Sequence, residues 1–261
     1  MELFELKENK ININGIDLYY KTAGEGKPFL ILHGWGASSF SWIRFVDEMA
    51  GKGFKLIIPD LPGFGKTEMP KTIWGIDDYA NLIVSFVKEL KLPSFYLLGH
   101  SFGGGIALKI ATEKDIRPAK LIFCDAAIVR EERLNLRQRI SKFLARIGSK
   151  FISDDSRVYS FFEKIAYKIS GTYDYYRANP LMKEVFKKVI SEDLTHLLPK
   201  VNMPCLIIWG ENDQVTPVED GVLFQQEIDD SELRIIKGAR HNPYKTDAVE
   251  VSEYIIKFLN K

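Results

Sequence analysis

Five short apolar runs along the chain have the pattern of buried β-strands. Each is nearly continuous in Ile, Leu and Phe, and each is bounded by Gly, Pro or Asp: PFLILHG (28–34), FKLIIPD (54–60), SFYLLGH (94–100), KLIFCDA (120–126) and PCLIIWG (204–210). Strands covered on both faces have this composition, because neither side of the strand contacts water. The runs therefore predict a sheet that lies between layers of helices.

Stretches with helical spacing of apolar residues separate these runs, at 41–50, 76–90, 104–112 and 249–259. Alternation of strand and helix is typical of a mostly parallel sheet. The first two segments, KININ and IDLYYKTAG, instead predict an antiparallel hairpin at a sheet edge, joined near Asn14 and Gly15. The chain is therefore predicted to be an α/β protein with a mostly parallel sheet flanked by helices.

The alternation is interrupted once, between Asp125 and Pro204. This stretch has helix-like periodicity, many charges and no convincing buried strand. We predict a core built from residues 1–126 and 204–261, with a helical cap, or lid, inserted at 127–203. The cap contains many aromatic residues, which suit a lid over an apolar cleft but equally suit packing of the cap onto the sheet.

Charge and cysteine content narrow the class of protein. Lys and Arg number 36 against 35 Asp and Glu, so there is no broad basic surface for a nucleic-acid backbone. No run of about 18 apolar residues occurs, and the first residues carry charges throughout, so we expect a cytoplasmic protein without a membrane partner. The two cysteines, Cys124 and Cys205, lie inside predicted strands and are expected to be reduced core thiols.

A candidate nucleophile lies where one predicted strand meets a helix. Gly99, His100, Ser101, Phe102 and Gly103 form the pattern G-x-S-x-G between the strand ending near residue 100 and the helix over 104–112. Small flanking residues allow the strained strand-to-helix turn that lifts a serine hydroxyl into a cleft. The turn also places this serine at a helix N-terminus, where backbone N–H groups face developing negative charge.

Several motifs in this order resemble the α/β-hydrolase superfamily, in the branch of capped serine esterases and C–C bond hydrolases. They cover nearly the whole chain: HGWG (33–36), DLPGFGKT (60–67), GHSFGG (99–104), WGENDQVTP (209–217) and ARHNPY (239–244). In the family these segments form the oxyanion loop, a structural turn, the nucleophile elbow, the acid loop and the histidine loop. The resemblance implies a Ser, Asp, His catalytic triad in that chain order.

A serine needs a base within hydrogen-bond reach, and the sequence has four histidines. His33 and His100 lie beside glycines in motifs whose family role is loop shape, so we expect them to tether the backbone. His196, at the end of the predicted cap, is expected to be a solvated helix-end residue. His241 follows the last predicted strand and is predicted to be the general base for Ser101.

Two aspartates compete for the role of the acid that orients His241. Asp213 follows the strand LIIWG, where the family places its acid, and it is our predicted third member of the triad. Asp125 also follows a strand, and some relatives use that position. By resemblance, the backbone N–H groups of Trp35 and Phe102 are predicted to form the oxyanion hole. Their rings are expected either to line the acyl pocket or to fill the core.

The sequence contains no metal-binding or cofactor motif, so neither a metal nor a cofactor is expected. The predicted activity is hydrolysis of small to medium acyl esters through an acyl-enzyme on Ser101, with a small-molecule substrate as partner and a monomer or homodimer as assembly. Two alternatives remain open: hydrolysis of a C–C bond in a ring-cleavage product, and a small-molecule receptor that keeps the triad. Relatives that open epoxides or displace halide carry Asp at the elbow, in contrast to Ser101.

Overall fold

The computed structural model describes residues 6–92, 94–129 and 179–261. These ranges contain the strands β1 (Lys7–Ile13), β2 (Ile16–Ala23), β3 (Lys27–Leu32), β4 (Phe54–Pro59), β5 (Tyr96–His100), β6 (Lys120–Cys124), β7 (Cys205–Gly210) and β8 (Ser231–Ile236). They form one eight-stranded sheet in the order β1-β2-β4-β3-β5-β6-β7-β8. The β1–β2 and β2–β4 pairs are antiparallel and the other pairs are parallel. The predicted architecture, including the edge hairpin, is confirmed.

Helices cover both faces of this sheet. They are α1 (Ile43–Met49), α2 (Ile76–Glu89), α3 (Phe102–Glu113), α4 (Pro180–Ser191), α5 (Val218–Glu227), the single turn α6 (Pro243–Thr246) and α7 (Ala248–Leu259). Side chains of α1 and α7 pack in one core, while those of α2, α3 and α5 pack in the core on the opposite face. The pattern of apolar residues did not predict α5, because that helix buries little beyond Gly221 and Phe224.

The continuous apolar runs follow directly from this two-sided burial. In β3, Phe29 and Ile31 belong to the core beneath α1 and α7, whereas Leu30 and Leu32 belong to the other core. All four side chains are completely buried. Because successive side chains of a strand point to opposite faces, a strand with helices on both sides needs apolar residues at every position.

The parallel strands all end at one edge of the sheet, and the motifs of the sequence follow those ends. The segment HGWG follows β3, Ser101 follows β5, Asp125 follows β6 and the acid loop with Asp213 follows β7. His241 lies in the loop between β8 and α6. In open parallel sheets, ligands bind in the crevice outside these carboxyl ends. The topology therefore gathers the candidate residues without any further element.

Most of the predicted cap, residues 130–178, lies outside the described residues, so the division into core and cap stays a prediction. The described part of that segment contains α4 and a 3₁₀ turn at Thr195–Lys200. Pro180 is the first residue of α4, where Asn179 caps the helix by accepting a hydrogen bond from the Met182 N–H at 3.2 Å. Among the described helices, none combines the length and apolar character needed to span a bilayer.

Candidate active site

Ser101 occupies a strained turn between β5 and α3, as the G-x-S-x-G pattern predicts. Its φ of 50° lies in the left-handed region, which non-glycine residues rarely adopt. A Cβ at Gly99 would lie 2.4 Å from the carbonyl oxygen of Gly103, and a Cβ at Gly103 would lie 2.3 Å from that of Leu32. Only glycine fits at either position, because both contacts are with backbone that cannot move aside.

Hydrogen bonds from neighbouring segments hold the serine in this conformation. The Ser101 N–H donates to the carbonyl of Cys124 at 3.1 Å, at the end of β6. The Ser101 carbonyl accepts from the N–H groups of Gly104 and Ala127, both at 2.9 Å. Strained residues persist only where their surroundings determine them, and clusters of such strain are typical of functional sites.

His241 connects the serine with an aspartate. Its Nδ1 lies 2.7 Å from Oδ2 of Asp213, and its Nε2 lies 2.9 Å from Oγ of Ser101. An ionised carboxylate only accepts hydrogen bonds, so Nδ1 carries the proton and Nε2 is left to accept from the serine hydroxyl. The structure thus brings together Ser101, His241 and Asp213 in the arrangement that a serine nucleophile and its general base require.

The Asp213 carboxylate is buried and fully used as an acceptor. Oδ1 accepts from the N–H groups of Val215 at 2.7 Å and Thr216 at 3.1 Å, while Oδ2 accepts from the Thr216 hydroxyl at 2.7 Å in addition to His241. Burial alone would raise the pKa of Asp213, but the hydrogen bonds from His241, Thr216 and Val215 outweigh it and hold the pKa below its ordinary value. The carboxylate therefore stays ionised beside the imidazole.

Thr216 is a site residue that the sequence analysis missed. Its hydroxyl donates to Asp213, lies 3.3 Å from Nδ1 of His241 and also contacts the carbonyl of Asp125 at 3.3 Å. The only signal in the sequence was its place three residues after the acid, in the segment DQVT. Such a side chain reaches back to the aspartate when the loop turns, as the 2.7 Å bond from the Val215 N–H to Oδ1 of Asp213 shows.

His33 and His100 bind backbone groups, as predicted. Nδ1 of His33 donates to the carbonyl of Gly34 at 2.8 Å, and Nε2 accepts from the Leu61 N–H at 2.9 Å. Nε2 of His100 donates to the carbonyl of His241 at 2.8 Å. Burial lowers the pKa of both rings, which keeps them neutral. His100 thus fixes the backbone of the histidine that contacts Ser101.

The segment HGWG lies against the serine. A Cβ at Gly34 would come within 2.8 Å of Nδ1 of His100 and 3.2 Å of Cβ of Ser101. The N–H of Phe102 belongs to the first turn of α3, where backbone N–H groups have no partner inside the helix. Gly34, the neighbour of Trp35, therefore lies against Ser101, and Phe102 follows Ser101 directly. The oxyanion hole at the N–H groups of Trp35 and Phe102 stays a prediction.

The rings of these two residues have different environments. Phe102 is buried in the core, with its ring centroid 5.0 Å from that of Tyr79. Trp35 is half-buried and contacts the rings of Phe64, Phe102 and Phe186 at centroid distances of 4.9, 5.3 and 5.0 Å. Of the two expectations, core packing fits Phe102, whereas Trp35 has the partial exposure that a pocket wall needs.

One group of side chains in the described ranges has metal-ligand types close together. Ring nitrogens of His100 and His241 and a carboxylate oxygen of Asp125 lie within 4.8 Å of one another. Both nitrogens of His241 are hydrogen-bonded to Asp213 and Ser101, and Nε2 of His100 is bonded to a carbonyl. This group does not fit a zinc-type site, which needs three or four ligand atoms directed at one point.

Known proteins with a similar sequence or structure identify the fold of this chain. A sequence model described as the alpha/beta hydrolase fold matches residues 27–147. The crystal structure of a bromoperoxidase from Bacillus anthracis superposes with a TM-score of 0.77 and 25% identity, over 98% of this chain and all of that one. The chain has the α/β-hydrolase fold. The eight-stranded sheet and its flanking helices are those of this fold, as the sequence motifs predicted.

Two curated relatives match this chain over nearly their whole length. An uncharacterized hydrolase of Bacillus subtilis, YugF, is 24% identical over 96% of this chain and 97% of its own. The 2-hydroxy-6-oxononadienedioate/2-hydroxy-6-oxononatrienedioate hydrolase 1 of Pseudomonas putida is also 24% identical, over 94% and 92%. These relatives support the interpretation that the protein is a hydrolase.

Proposed function

We propose that the protein is a serine carboxylesterase that forms an acyl-enzyme on Ser101. The observation that carries the proposal is a continuous chain of hydrogen bonds from Asp213 through His241 to Ser101. The distances are 2.7 Å between Asp213 and His241 and 2.9 Å between His241 and Ser101. A serine hydroxyl by itself is a weak nucleophile, and this geometry supplies it with an oriented base. Both cysteines of the chain are buried, and burial raises the pKa of both thiols, so neither competes as nucleophile.

In the first half-reaction, Oγ of Ser101 attacks the ester carbonyl carbon and its proton passes to Nε2 of His241. A tetrahedral intermediate forms, and its negative oxygen receives hydrogen bonds from the N–H groups of Trp35 and Phe102. The imidazolium is stabilised by the ionised Asp213 at Nδ1. Collapse of the intermediate breaks the carbon–oxygen bond to the alcohol, and Nε2 returns the proton to that leaving oxygen.

In the second half-reaction, water replaces the alcohol. Nε2 of His241 takes a proton from water as its oxygen attacks the acyl carbon, and a second tetrahedral intermediate forms in the same oxyanion hole. When that intermediate collapses, the bond to Oγ breaks and Ser101 regains its proton from the imidazolium. The products are a carboxylic acid and the free enzyme.

The described wall of the site is aromatic. Trp35 lies next to Phe64 and Phe186, so an acyl chain beside the serine would contact apolar rings. This supports small to medium acyl groups as substrates. Hydrolysis of a C–C bond is the second candidate, because a relative from Pseudomonas putida is named as a hydrolase of an oxo-dienedioate rather than of an ester, and the same three side chains would serve that reaction.

The test is hydrolysis of p-nitrophenyl acetate, butyrate and octanoate by the wild type, by Ser101→Ala and by a control, Ser191→Ala, at an exposed serine that ends α4. We expect wild-type turnover of about 1 per second or faster. Loss confined to the Ser101 variant would support the proposal. Absence of wild-type turnover on all three esters would reject the esterase, and C–C substrates and ligand-binding assays would then follow.

A further inference from the structure

A second buried carboxyl group lies beside the proposed triad and takes no part in the steps above. Asp125 follows β6 and has no exposed surface. Its φ of 45° is in the left-handed region, an uncommon conformation for a residue with a side chain. Such a conformation persists where surrounding contacts determine it, so the contacts of Asp125 indicate what it does.

These contacts reach both ends of the acid loop, the segment 209–217 that carries Asp213. Oδ1 of Asp125 accepts a hydrogen bond from the N–H of Gly210 at 2.8 Å, where the loop begins. The carbonyl of Asp125 contacts the hydroxyl of Thr216 at 3.3 Å, where the loop ends, while the hydroxyl proton is directed at Asp213. The Asp125 N–H donates to the carbonyl of Ile208 at 3.0 Å, which anchors it to β7. One residue thus braces the loop at its two ends.

The surroundings of this carboxyl group do not suit a negative charge. In the described part of the chain, its side-chain donors are one amide, that of Gly210, and the thiol of Cys124 at 3.7 Å. Its titratable neighbours on other elements are Asp213 in the acid loop, His241, His100 at the end of β5 and Tyr244 in α6. A buried carboxylate with so few donors, next to a second carboxylate, is costly.

Burial and the charge of Asp213 raise the pKa of Asp125 well above its usual range. Asp213 differs, because four hydrogen bonds favour its ionised form. When two neighbouring carboxyl groups have environments this different, one is ionised and the other is protonated. Here Asp213 is the group whose surroundings favour the ionised form.

We propose that Asp125 is a positioning residue that acts as a neutral carboxylic acid, bracing the acid loop and leaving Asp213 as the single negative charge beside His241. The inference rests on the proposed function, in which Asp213 orients the base. A neutral group at this place keeps the loop fixed without competing for the proton on Nδ1. An isosteric neutral amide should therefore replace it, whereas removal of the side chain should not be tolerated.

The first test compares Asp125→Asn, Asp125→Ala and Asp213→Asn in ester hydrolysis. We expect Asp125→Asn to keep kcat/KM within about threefold of the wild type, with the acidic limb of its pH profile unmoved. Asp125→Ala should lower kcat at least tenfold with little change in KM, because the Gly210 N–H loses its acceptor and the acid loop its brace. Equal damage from Asp125→Asn and Asp213→Asn would overturn the proposal, and so would full activity of Asp125→Ala.

The second test needs no substrate, so it separates failure of this inference from failure of the proposed esterase. Urea unfolding of the wild type, Asp125→Asn and the exposed control Asp229→Asn is measured at pH 5 and pH 7. Consider a carboxyl group that stays protonated in the folded protein but ionises near pH 3.9 in the unfolded chain. As the pH rises above that value, the folding constant of the protein falls about tenfold per pH unit, until the pH reaches the pKa of the group in the fold.

The ratio of the folding constant of Asp125→Asn to that of the wild type should therefore rise at least tenfold from pH 5 to pH 7. The same ratio for Asp229→Asn should stay flat, because that side chain is exposed in both states. A flat or falling ratio for Asp125→Asn would mean that the folded protein carries an ionised Asp125, and the proposal would be wrong.

Discussion

Replacing Asp213 by asparagine removes one acceptor atom, and the structure predicts which one. The amide oxygen of the new side chain must face the N–H groups of Val215 and Thr216, because both donate to Oδ1 in the wild type. Turning the amide round would leave the buried Thr216 N–H and the partly buried Val215 N–H unpaired, at a cost of about 1–3 kcal/mol for the buried group alone. The NH₂ group therefore takes the place of Oδ2, directed at Nδ1 of His241.

A donor at that place reverses the tautomer of the histidine. Nδ1 must accept, so the proton moves to Nε2, the atom 2.9 Å from Oγ of Ser101. A protonated Nε2 cannot take the serine proton. We expect kcat to fall about 10⁴-fold, as in triads whose aspartate is replaced by asparagine, which corresponds to about 5 kcal/mol of transition-state stabilisation.

The assay is kcat and KM for p-nitrophenyl butyrate at about pH 7.5, above the ordinary pKa of histidine, for the wild type, Asp213→Asn and the exposed control Asp229→Asn. Circular dichroism compares the folds. KM should change little, because the substitution removes no contact with the acyl chain. A loss of less than about tenfold in kcat would refute the argument from the tautomer. It would show that another group, with Asp125 the first candidate, orients His241.

Three further predictions follow from the packing around the site. Gly103→Ala places a methyl group 2.3 Å from the carbonyl oxygen of Leu32. In urea titrations it should lower the free energy of unfolding by about 3 kcal/mol. The control Gly105→Ala, in the same helix, should change that free energy by less than about 1 kcal/mol. Phe102→Ala should cost about 3–5 kcal/mol of stability, while Trp35→Ala should mainly change the preference among acetate, butyrate and octanoate esters. Burial lowers the pKa of His33, so below about pH 6.5 this histidine takes up a proton in the unfolded chain but not in the fold, which destabilises the wild type. His33→Gln has no such group. Between about pH 6.5 and 5.5 the free energy of unfolding of the variant should therefore gain on that of the wild type by up to about 1.4 kcal/mol per pH unit. A pH-independent difference would mean that His33 titrates normally in the fold.

Much of the fold was predictable because local patterns carry it. The five apolar runs match β3 to β7, since a strand with helices on both faces leaves no position for a polar residue. The glycines at 99 and 103 were equally readable, because only a residue without Cβ fits two backbones that approach within van der Waals contact. The residues near Ser101 followed from these motifs and their order along the chain.

Other features depend on how distant loops meet, which no local pattern expresses. Thr216 matters because its hydroxyl reaches Asp213 and the carbonyl of Asp125, 91 residues away in the chain. The sequence left Asp125 and Asp213 as rivals for one role, since each follows a buried strand. Their difference lies in the number of donors around each carboxyl group, and only the three-dimensional arrangement of the acid loop supplies that number.

The central claim, an acyl-enzyme on Ser101, is tested most directly by mass spectrometry of protein quenched in acid during turnover of p-nitrophenyl butyrate. We predict a fraction of the wild type that is heavier by one butyryl group, which peptide mapping places on Ser101. The Ser101→Ala protein should show no such adduct. Turnover by the wild type with no adduct at Ser101, or with the same adduct on another residue, would contradict the proposed mechanism.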